Sequence, residues 1–508
     1  MRHSQHTDAY PSFFSRPPLD DLRTDVLVVG AGSAGLSAAV SAARAGAETL
    51  LIENAGFLGG ISATLPWLGF HDRDYRQVVK GFSAECIERL TRQGHSSGFV
   101  LDPKCGSLAS IDTHMWKCLA IETAREAGVR ILLHTQAVDT VRDGDRIAGV
   151  VAHHKGGFQR ILAKVTVDAS GDGDVAARGG VEWEKGRTAD GLVQAPTLVF
   201  RLGGVDRATF VAACKDRSLI YREWLHEHPE IFDKFTSRLD DTPTFVLGGF
   251  AGLIEQARAA GDFPLPQTRV VGVKTHIEDE ISVVMTRVLG LDPVDVQNMS
   301  NAYARVYDQI PPLLDFFRKY VPGCSASRMV EIAPMLGVRE SRRIMGDHVL
   351  TSDEMIAGAR HDDAVAMGGY HIDIHRPKGT WVESYNVRAY TIPLRSLIAR
   401  DVDGLMMAGK CISATHEAIA GTRVIPICMA QGEAVGAAAA LAVETGRGVR
   451  EIRVSVLQDR LAAAGAEIGR TLGDPDQRAI DAIGQLPMEE APTEGDSDPV
   501  SAEVTAWV

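Results

Sequence analysis

The sequence has little of what marks membrane proteins or nucleic-acid-binding proteins. No apolar run reaches the ~18 residues that a membrane-spanning helix needs. Lysine and arginine number 53 against 66 aspartates and glutamates, so the net charge is −13. This deficit of positive charge argues against a phosphate backbone as the main partner. We therefore predict a protein that binds neither a membrane nor a nucleic acid.

Cysteine is scarce, and no two cysteines have the spacing of a metal or iron–sulfur motif. The seven cysteines are Cys86, Cys105, Cys118, Cys214, Cys324, Cys411 and Cys428. Since no C-x-x-C pair occurs, we predict no metal site. The N-terminal stretch MRHSQHTDAYPSFFSRPPLDD lacks the apolar core of a signal peptide. An odd number of cysteines without such a signal favours reduced thiols and a cytoplasmic location.

Glycine, in contrast, is abundant, and three glycines follow the first strand-like run. The stretch DVLVVGAGSAGLSAAVSAARAGAETLLIEN spans residues 25–54. Its β-branched run at 26–29 predicts a strand, its alanine-rich run at 34–44 a helix, and its apolar run at 49–52 a second strand. This pattern, over about 30 residues, is typical of the βαβ unit that binds dinucleotides.

Each glycine of this unit has a physical role. Gly30 permits the tight turn, Gly32 lets the backbone approach a pyrophosphate, and Gly35 lets the helix pack closely on the strand. The amides at the helix start attract phosphates. Glu53, at the end of the second strand, can accept hydrogen bonds from ribose hydroxyls. The unit adds three candidate nucleotide-binding residues: Ser33, Ala34 and Asn54.

The chain length and the element pattern predict an α/β fold with two domains. We expect a Rossmann-like domain with a parallel sheet and a second domain with an antiparallel sheet and helices, one of them over 296–320. The predicted segments are a flexible leader (1–24), the first part of the nucleotide-binding domain (25–184), a cap domain over the substrate (185–395), the returning part of the nucleotide-binding domain (396–445), a C-terminal helical segment (446–486) and an acidic flexible tail (487–508).

Four stretches resemble motifs of one flavoprotein family. They are the glycine unit above, GFLGGISAT (56–64), VTVDASGDGDVAARGG (165–180) and GLMMAGKCISATHEAIAGTRVIPICMAQGEAVGAAAALA (404–442). Together they resemble the FAD-dependent oxidoreductases of the glutathione-reductase-like superfamily. The resemblance implies FAD as the cofactor. It adds the candidate FAD-binding residues Gly59, Gly60, Ser62, Ala63, Val138, Ala169, Ser170, Gly171, Gly409, Gly432, Glu433 and Ala434.

Residues 430–434 have two interpretations. As the start of an alanine-rich helix facing the flavin, they would stabilise negative charge on the reduced ring. The alternative is plain helix packing through small residues. We favour the flavin role because the strand–glycine–helix context of the first unit recurs here.

A further group of candidates would bind substrate and move a proton. His371, Asp373 and His375 alternate in GGYHIDIHRPKG (368–379), so a strand would place all three on one face. That face could be an acid–base relay, a metal site or an ordinary polar surface. His375 lies nearest the following turn and is our preferred base.

Arginines follow in GVRESRR (337–343), where a helix would place Arg339 and Arg343 on one face. They would hold a substrate carboxylate or a flavin phosphate, or pair with Glu331 or Glu340. The remaining candidates are His416 and Arg423, which the family motif carries, and Tyr390, either a donor near the substrate or a buried structural tyrosine.

Only one glycine unit with its acid is present, so we predict no second unit for NAD(P)H. We expect hydride transfer between a small organic substrate and the flavin N5, with an unspecified electron acceptor. The substrate would bind between the nucleotide-binding and cap domains. The alternatives are an electron-transfer subunit of a larger complex and a tRNA-modifying flavoprotein. The substrate, the reaction direction, the oligomeric state and covalent attachment of FAD, for example through His71, stay open.

Overall fold

The computed structural model of the chain describes residues 19–220, 228–378 and 382–488. Its strands are β1 (Leu19–Val29), β2 (Thr49–Ile52), β3 (Trp67–Leu68), β4 (Val100–Asp102), β5 (Gly106–Ser110), β6 (Arg130–Leu132), β7 (Gln136–Asp143), β8 (Arg146–His154), β9 (Gly157–Asp168), β10 (Trp183–Lys185), β11 (Phe200–Gly203), β12 (Phe245–Gly249), β13 (Val270–Lys274), β14 (Ile281–Val283), β15 (Arg328–Ile332), β16 (Arg342–Ile344), β17 (Ala364–Gly368), β18 (Ile372–His375), β19 (Val382–Tyr385), β20 (Tyr390–Pro393) and β21 (Leu405–Met407).

Its α-helices are α1 (Ser33–Arg44), α2 (Phe82–Arg92), α3 (Thr113–Glu126), α4 (Asp174–Arg178), α5 (Arg207–Lys215), α6 (Pro229–Thr236), α7 (Ala251–Ala259), α8 (Val296–Tyr320), α9 (Ser352–Ala357), α10 (His416–Thr422), α11 (Ile425–Thr445), α12 (Val454–Ala463) and α13 (Gln477–Ile483). Two 3-10 helices span Gly60–Ala63 and Leu394–Leu397.

A mixed sheet in the order β6–β2–β1–β9–β8–β7, with β21 also beside β9, forms the centre of the first core. Strands β1, β2, β6, β9 and β21 run parallel, whereas β8 is antiparallel to both of its neighbours. Val26, Leu27 and Val28 of β1 are fully buried, as expected of a parallel strand in a covered sheet. The α/β fold class predicted from the sequence is confirmed.

Helices α1 and α11 pack against each other through small residues. A Cβ on Gly432 would lie 2.0 Å from the carbonyl oxygen of Ala34, and one on Gly436 would lie 2.2 Å from that of Ala38. No larger side chain fits between backbones this close. Gly432 and Gly436 of α11 therefore allow the backbones of the two helices to approach this closely.

Helix α11 has the length and hydropathy of a membrane span, which the sequence analysis did not expect of any stretch. Its mean hydropathy reaches 1.4 over the most apolar window, although Gln431 and Glu433 interrupt the apolar run. Within the protein, 94% of that window is buried. Its apolar character is therefore explained by its place in the core.

A second hydrophobic core is formed by buried residues from the range 198–336, together with Leu486. Its sheet has the order β12–β13–β14–β11–β15, and the pairs are antiparallel. Helix α8 covers 296–320, as its pattern predicts, although Pro311 and Pro312 lie inside it. The predicted second sheet with helices is therefore present.

The borders of the two parts differ from the predicted ones. Strand β1 begins at Leu19, so residues 19–24 belong to the central sheet and not to the leader. Residues 1–18 lie outside the described part of the chain. Ile344 and the buried apolar residues that follow it pack in the first core, so the second part ends near residue 338 and not at 395.

The C-terminal segment is docked where the described residues end. Leu486 packs in the second core. The carbonyl oxygen of Pro487 accepts a hydrogen bond of 2.7 Å from Nδ2 of Asn386. The start of the predicted tail is therefore held against the protein, while residues 489–508 lie outside the described part.

Candidate active site

A large cavity, about 1440 Å³ in volume, opens between the central sheet and the second sheet. One end lies at the carboxyl ends of β1, β2 and β9, where ligands bind in open α/β sheets. The other end is bordered by β13, β14, β18 and β19. The predicted FAD-binding residues that line the cavity are Gly30, Gly32, Ser33, Ala34, Glu53, Asn54, Gly60, Ala169, Ser170, Gly171 and Gly409.

The three glycines of the first turn differ in what surrounds them. Gly30 has a φ of +92°, which a side chain would strain. A Cβ on Gly35 would lie 1.8 Å from the carbonyl oxygen of Gly30, so this position holds helix against strand. A Cβ on Gly32 would meet no atom within 4 Å. Gly32 therefore leaves open space for a ligand, whereas Gly35 serves packing and does not line the cavity.

The start of α1 suits a diphosphate. Its N-cap residue is Gly32, and no side chain caps the helix. The hydroxyl of Ser33 is buried and has no hydrogen-bond partner among the described residues. Uncapped amides and the positive end of the helix dipole attract anions. The residues present therefore fit the pyrophosphate of FAD.

Glu53 lies at the end of β2 and is held by backbone amides. Its Oε2 accepts a hydrogen bond of 2.7 Å from Ala31 N, and its Oε1 accepts one of 2.7 Å from Ala55 N. These bonds fix the carboxylate at the edge of the cavity, and each oxygen keeps a further lone pair. The ribose role of Glu53 stays a prediction.

Asp168, at the end of β9, orders the next turn and was missed as a functional residue. Its carboxylate accepts hydrogen bonds from Ser170 N at 3.1 Å, Ser170 Oγ at 2.6 Å and Ala176 N at 2.9 Å. Burial raises the pKa of this carboxyl although the hydrogen bonds oppose the rise. The hydroxyl of Ser170 is therefore used to shape the loop that lines the cavity.

Other predicted FAD-binding residues do not line the cavity in the described part of the chain. They are Gly59, Ser62, Ala63, Val138, Gly432, Glu433 and Ala434. Gly59 begins the 3-10 helix in a left-handed conformation, and the hydroxyl of Ser62 donates back to its carbonyl oxygen at 2.6 Å. These two residues shape the loop whose Gly60 does face the cavity.

The prediction for residues 430–434 needs correction. Helix α11 begins at Ile425, so the helix start that faces the cavity is formed by Val424, Ile425 and Pro426. Gly432 instead contacts the backbone of α1. The alternative interpretation, helix packing through small residues, is the one that the geometry supports.

Glu433 is buried on α11, where its two carboxylate oxygens lie 3.2 and 3.3 Å from Phe82 N. Burial raises the pKa of this carboxyl from 4.5 to about 7. Below pH 4.5 the Glu433 carboxyl is protonated in both the folded and the unfolded chain, so its burial there costs no ionisation energy and the folded state has its full stability. That stability is lost as the pH rises from 4.5 through 7, because only the unfolded chain ionises freely there.

Replacement of Glu433 by glutamine is therefore expected to stabilise the protein at pH 8 but not at pH 4.5. The gain at pH 8 is on the order of 3 kcal/mol, since the pKa rises from 4.5 to about 7 and one pKa unit is worth about 1.4 kcal/mol. Thermal unfolding of both proteins across this pH range measures it. Glu444→Gln, at an exposed position of the same helix, is the control and should gain no stability as the pH rises. Equal pH dependence of wild type and Glu433→Gln would contradict the assignment.

Asp373 and His375 form a pair on β18 in the substrate end of the cavity. Nε2 of His375 lies 3.1 Å from Oδ2 of Asp373. Burial, with Arg339 nearby, lowers the pKa of His375 to about 3. Burial alone would raise the pKa of Asp373, but His375, His371 and Arg423 hold it well below its ordinary value. The pair therefore consists of a neutral imidazole and an ionised carboxylate.

His371 also lines the cavity, but its surroundings differ. Its ring stacks on Tyr370 with centroids 4.1 Å apart, and its Nδ1 is buried without a partner among the described residues. Burial lowers its pKa to about 3. His371 directly precedes β18, and its side chain lines the cavity together with those of Asp373 and His375.

His416 and Tyr390 do not line the cavity within the described residues. Nδ1 of His416 lies 2.8 Å from Oε2 of Glu340, which also pairs with Arg343. Tyr390 is fully buried on β20, and burial raises its pKa. The structure therefore places both side chains in the protein interior, away from the proposed chemistry. His71, considered for covalent attachment, does not line the cavity either.

The helix that would place Arg339 and Arg343 on one face is absent from this described segment. Residues 338–341 have no regular structure, and 342–344 form strand β16. Arg339 reaches into the cavity and donates from Nη1 to Thr197 Oγ1 at 2.8 Å. Arg343 points elsewhere, to Glu340 and Glu184. The predicted pairing with Glu340 is therefore right for Arg343 only.

Arg423 ends helix α10 and reaches β18. Its Nη2 donates to the carbonyl oxygen of Asp373 at 2.9 Å and to Oε1 of Gln194 at 3.3 Å. Its Nε is buried and has no hydrogen-bond partner in the described part of the chain. Burial lowers the pKa of this guanidinium, and Asp373 opposes the decrease. Arg423 therefore holds β18 in place beside the cavity.

Several cavity residues were missed from the sequence. They are Lys104, Arg269, Arg287, Tyr370, Arg376, Glu383 and Tyr385. They come from five separated stretches, most of them outside the recognisable motifs. No local sequence pattern marks such scattered polar residues as site residues, because only the tertiary fold brings them to one cavity.

Comparison with known proteins agrees with the motifs. Residues 25–461 match the family described as FAD dependent oxidoreductase. The chain is 30% identical over 168 residues to a digeranylgeranylglycerophospholipid reductase of Picrophilus torridus, covering 30% of this chain and 40% of that protein. It is 32% identical over 168 residues to a thiamine thiazole synthase of Aeropyrum pernix, covering 31% and 58%. The chain thus spans between 40% and 58% of the length of these two relatives.

Solved structures with low identity are similar over most of the chain. A geranylgeranyl bacteriochlorophyll reductase-like protein from Thermoplasma acidophilum is 11% identical with a TM-score of 0.42, covering 92% of this chain and 97% of that one. A p-nitrophenol 4-monooxygenase from Pseudomonas putida is 12% identical with a TM-score of 0.45, covering 91% and 93%. At such low identities and TM-scores, the similarity to these structures gives no information about the substrate of this chain.

Proposed function

The chain belongs to the FAD-dependent oxidoreductase family, so FAD is its cofactor and oxidation–reduction its chemistry, and we propose that it transfers a hydride between FAD and a small anionic substrate. The substrate would occupy the end of the cavity bordered by β13, β14, β18 and β19. The charge balance of that end carries the proposal. It combines partly buried arginines, which outnumber the carboxylates there, with a neutral histidine that can hold a proton.

The substrate end is rich in guanidinium groups. Five arginines line it, namely Arg269, Arg287, Arg339, Arg376 and Arg423, against two carboxylates, Asp373 and Glu383. Glu383 is already engaged by Arg376 and by the hydroxyl of Tyr385 at 2.9 Å. Burying like charges together is costly unless counter-charges are supplied. An anionic group on the substrate would add negative charge to this cluster of guanidinium groups.

Arg339 is the strongest candidate for the substrate anion. Burial, with Arg423 and Arg287 close by, lowers its pKa to about 9, so it stays cationic at neutral pH. Thr197 and the carbonyl oxygen of Ala195 accept hydrogen bonds from Nη1. A guanidinium fixed in this way presents a planar fork that suits a carboxylate.

His375 is the candidate proton acceptor. When its Nε2–H donates to Asp373 Oδ2, Nδ1 carries the lone pair. Asp373 then orients the ring and would stabilise the imidazolium that forms. Bound FAD supplies a two-electron acceptor or donor at N5. In the oxidative direction, His375 would accept the O–H or N–H proton of the substrate, the hydride of the adjacent C–H bond would pass to the bound flavin, and the substrate would be left with a C=O or C=N bond.

A substrate screen tests the proposed chemical class. Purified holoprotein, without oxygen, is mixed with hydroxy- and amino-carboxylates and with their uncharged amides. We expect bleaching or displacement of the visible flavin spectrum by carboxylates and no change with the amides. An equal response to both sets would refute the anionic substrate, and so would a spectrum that no carboxylate alters.

A further inference from the structure

Two histidines and a glutamate meet outside the cavity, in the segment that joins β16 to β17. His348 lies in the loop after β16, Glu354 on α9, and His361 in the turn before β17. One ligand atom from each lies within 4.8 Å of the other two. None of the three lines the cavity. The cluster therefore needs an explanation separate from the flavin chemistry.

The carboxylate is anchored so that one oxygen faces both rings. Oε2 of Glu354 accepts a hydrogen bond of 2.8 Å from Thr351 N, which is half of a capping box at the start of α9. Oε1 lies 3.0 Å from Nε2 of His348 and 3.3 Å from Nε2 of His361. The helix cap thus helps to hold the carboxylate with Oε1 towards both rings.

The proton on His361 is directed away from Glu354. Its Nδ1 lies 3.0 Å from Oγ1 of Thr391, whose hydroxyl donates to the carbonyl oxygen of Ala359 at 3.2 Å. With that hydroxyl proton in use, Nδ1–H donates to Thr391, and the lone pair lies on Nε2. This lone pair faces the carboxylate oxygen. Two lone pairs at that distance repel unless a proton or a metal cation lies between them.

The geometry points to a divalent metal site formed by His348, Glu354 and His361, and we propose Zn²⁺ as its metal. Two imidazole nitrogens with one carboxylate oxygen suit zinc and its late first-row neighbours. Ligand atoms about 2.1 Å from a tetrahedral zinc lie about 3.4 Å apart, close to the separations of Oε1 from the two nitrogens. The three side chains are 23%, 26% and 10% exposed, so water can complete the coordination.

Among the described residues, no cationic group other than His348 and His361 pairs with Glu354. The nearby Arg395 is engaged by Asp363, with Nε 3.0 Å from the carboxylate. Thr391 holds the outer nitrogen of His361, the arrangement that typically orients a metal-bound histidine. The metal would tie the loop after β16 to α9 and, through Thr391, to β20.

This inference departs from the prediction of no metal site. That prediction rested on cysteine spacing, whereas the ligands here are histidine and glutamate separated by six and seven positions. This spacing matches no metal-binding motif that could be recognised in the sequence. The tertiary turn between β16 and β17 brings the ligands together.

Equilibrium dialysis of chelator-treated holoprotein against buffered Zn²⁺ tests the site, with zinc and FAD measured per chain. We expect one zinc per chain in the wild type and at least 100-fold weaker binding in His361→Ala and in His348→Gln. Thr391→Val, which removes only the outer partner, should weaken binding about 10- to 100-fold. His95→Gln, at a distant half-exposed histidine, is the matched control and should bind as the wild type does.

The FAD content of each variant reports whether it has folded. His348→Gln changes the half-exposed ligand and keeps the test valid if His361→Ala loses its FAD. A wild type that takes up no zinc would overturn the proposal and leave the cluster as a protonated imidazole–carboxylate pair. Undiminished zinc binding in the folded ligand variants would overturn it too, because the zinc would then lie elsewhere.

Discussion

Replacement of Gly32 by alanine is expected to yield a folded chain that no longer retains FAD. Gly32 has a φ of −66°, which alanine adopts freely, and a Cβ there meets no protein atom within 4 Å. Alanine is a poorer N-cap than glycine, so the loss of stability should stay near 1 kcal/mol. The new methyl group occupies the space that the pyrophosphate needs. We expect FAD affinity to fall at least 100-fold, about 2.8 kcal/mol, in a fluorescence titration.

Two matched substitutions separate this effect from damage to the fold. Gly35→Ala would place its Cβ 1.8 Å from the Gly30 carbonyl oxygen, so it should prevent folding altogether. Gly252→Ala, in helix α7 with open space around it, should bind FAD normally and gain a little stability. A Gly32→Ala protein with wild-type affinity would show that the pyrophosphate lies elsewhere.

Substitutions of Arg339 and His375 are expected to damage different steps of the reaction. Arg339→Met removes the cation proposed to hold the substrate anion, so the substrate Kd should rise about 30- to 300-fold while FAD content stays unchanged. His375→Gln removes the proton acceptor, so the rate of flavin reduction should fall about 10²- to 10⁴-fold at saturating substrate. Stopped-flow measurement of flavin reduction against substrate concentration separates the two.

The control for charge is Arg328→Met, an exposed arginine on β15 outside the cavity, which should change neither quantity. Because burial lowers the pKa of His375 to about 3, protonation of this histidine should not slow the wild type until the pH approaches that value. An unchanged reduction rate in His375→Gln would remove it as the proton acceptor. An unchanged Kd in Arg339→Met would remove that arginine from substrate binding.

Local patterns in the sequence were sufficient for the nucleotide end of the site. The strand, turn, helix and second strand of residues 25–54 are fixed by propensity, glycine placement and hydrophobic periodicity over short distances. Helix α8 was predicted for the same reason, since its amphipathic pattern runs over 25 residues. These features depend on neighbours in the chain and not on distant contacts.

The substrate end of the cavity could not be predicted from local patterns, because it is formed by contacts between distant segments of the chain. Arg339 and Arg343 would share a face only on a helix, but their segment is held by pairing of residue 337 with Thr197 and by strand β16. Glu433 was expected beside the flavin because small residues at a helix start suit both a cofactor and a packed helix. Packing of α11 against α1 decided between them. Neither the structure of the Arg339 segment nor the packing of α11 against α1 can be predicted from the neighbouring sequence.

Hydrogen–deuterium exchange across residues 30–37, with and without FAD, tests most directly where the cofactor lies. The first-turn amides of α1 have no capping side chain, so they should exchange quickly in the FAD-free protein. FAD is predicted to slow their exchange strongly, because its pyrophosphate would accept their hydrogen bonds. Unchanged exchange of this peptide, in a protein shown to carry one FAD per chain, would contradict the account.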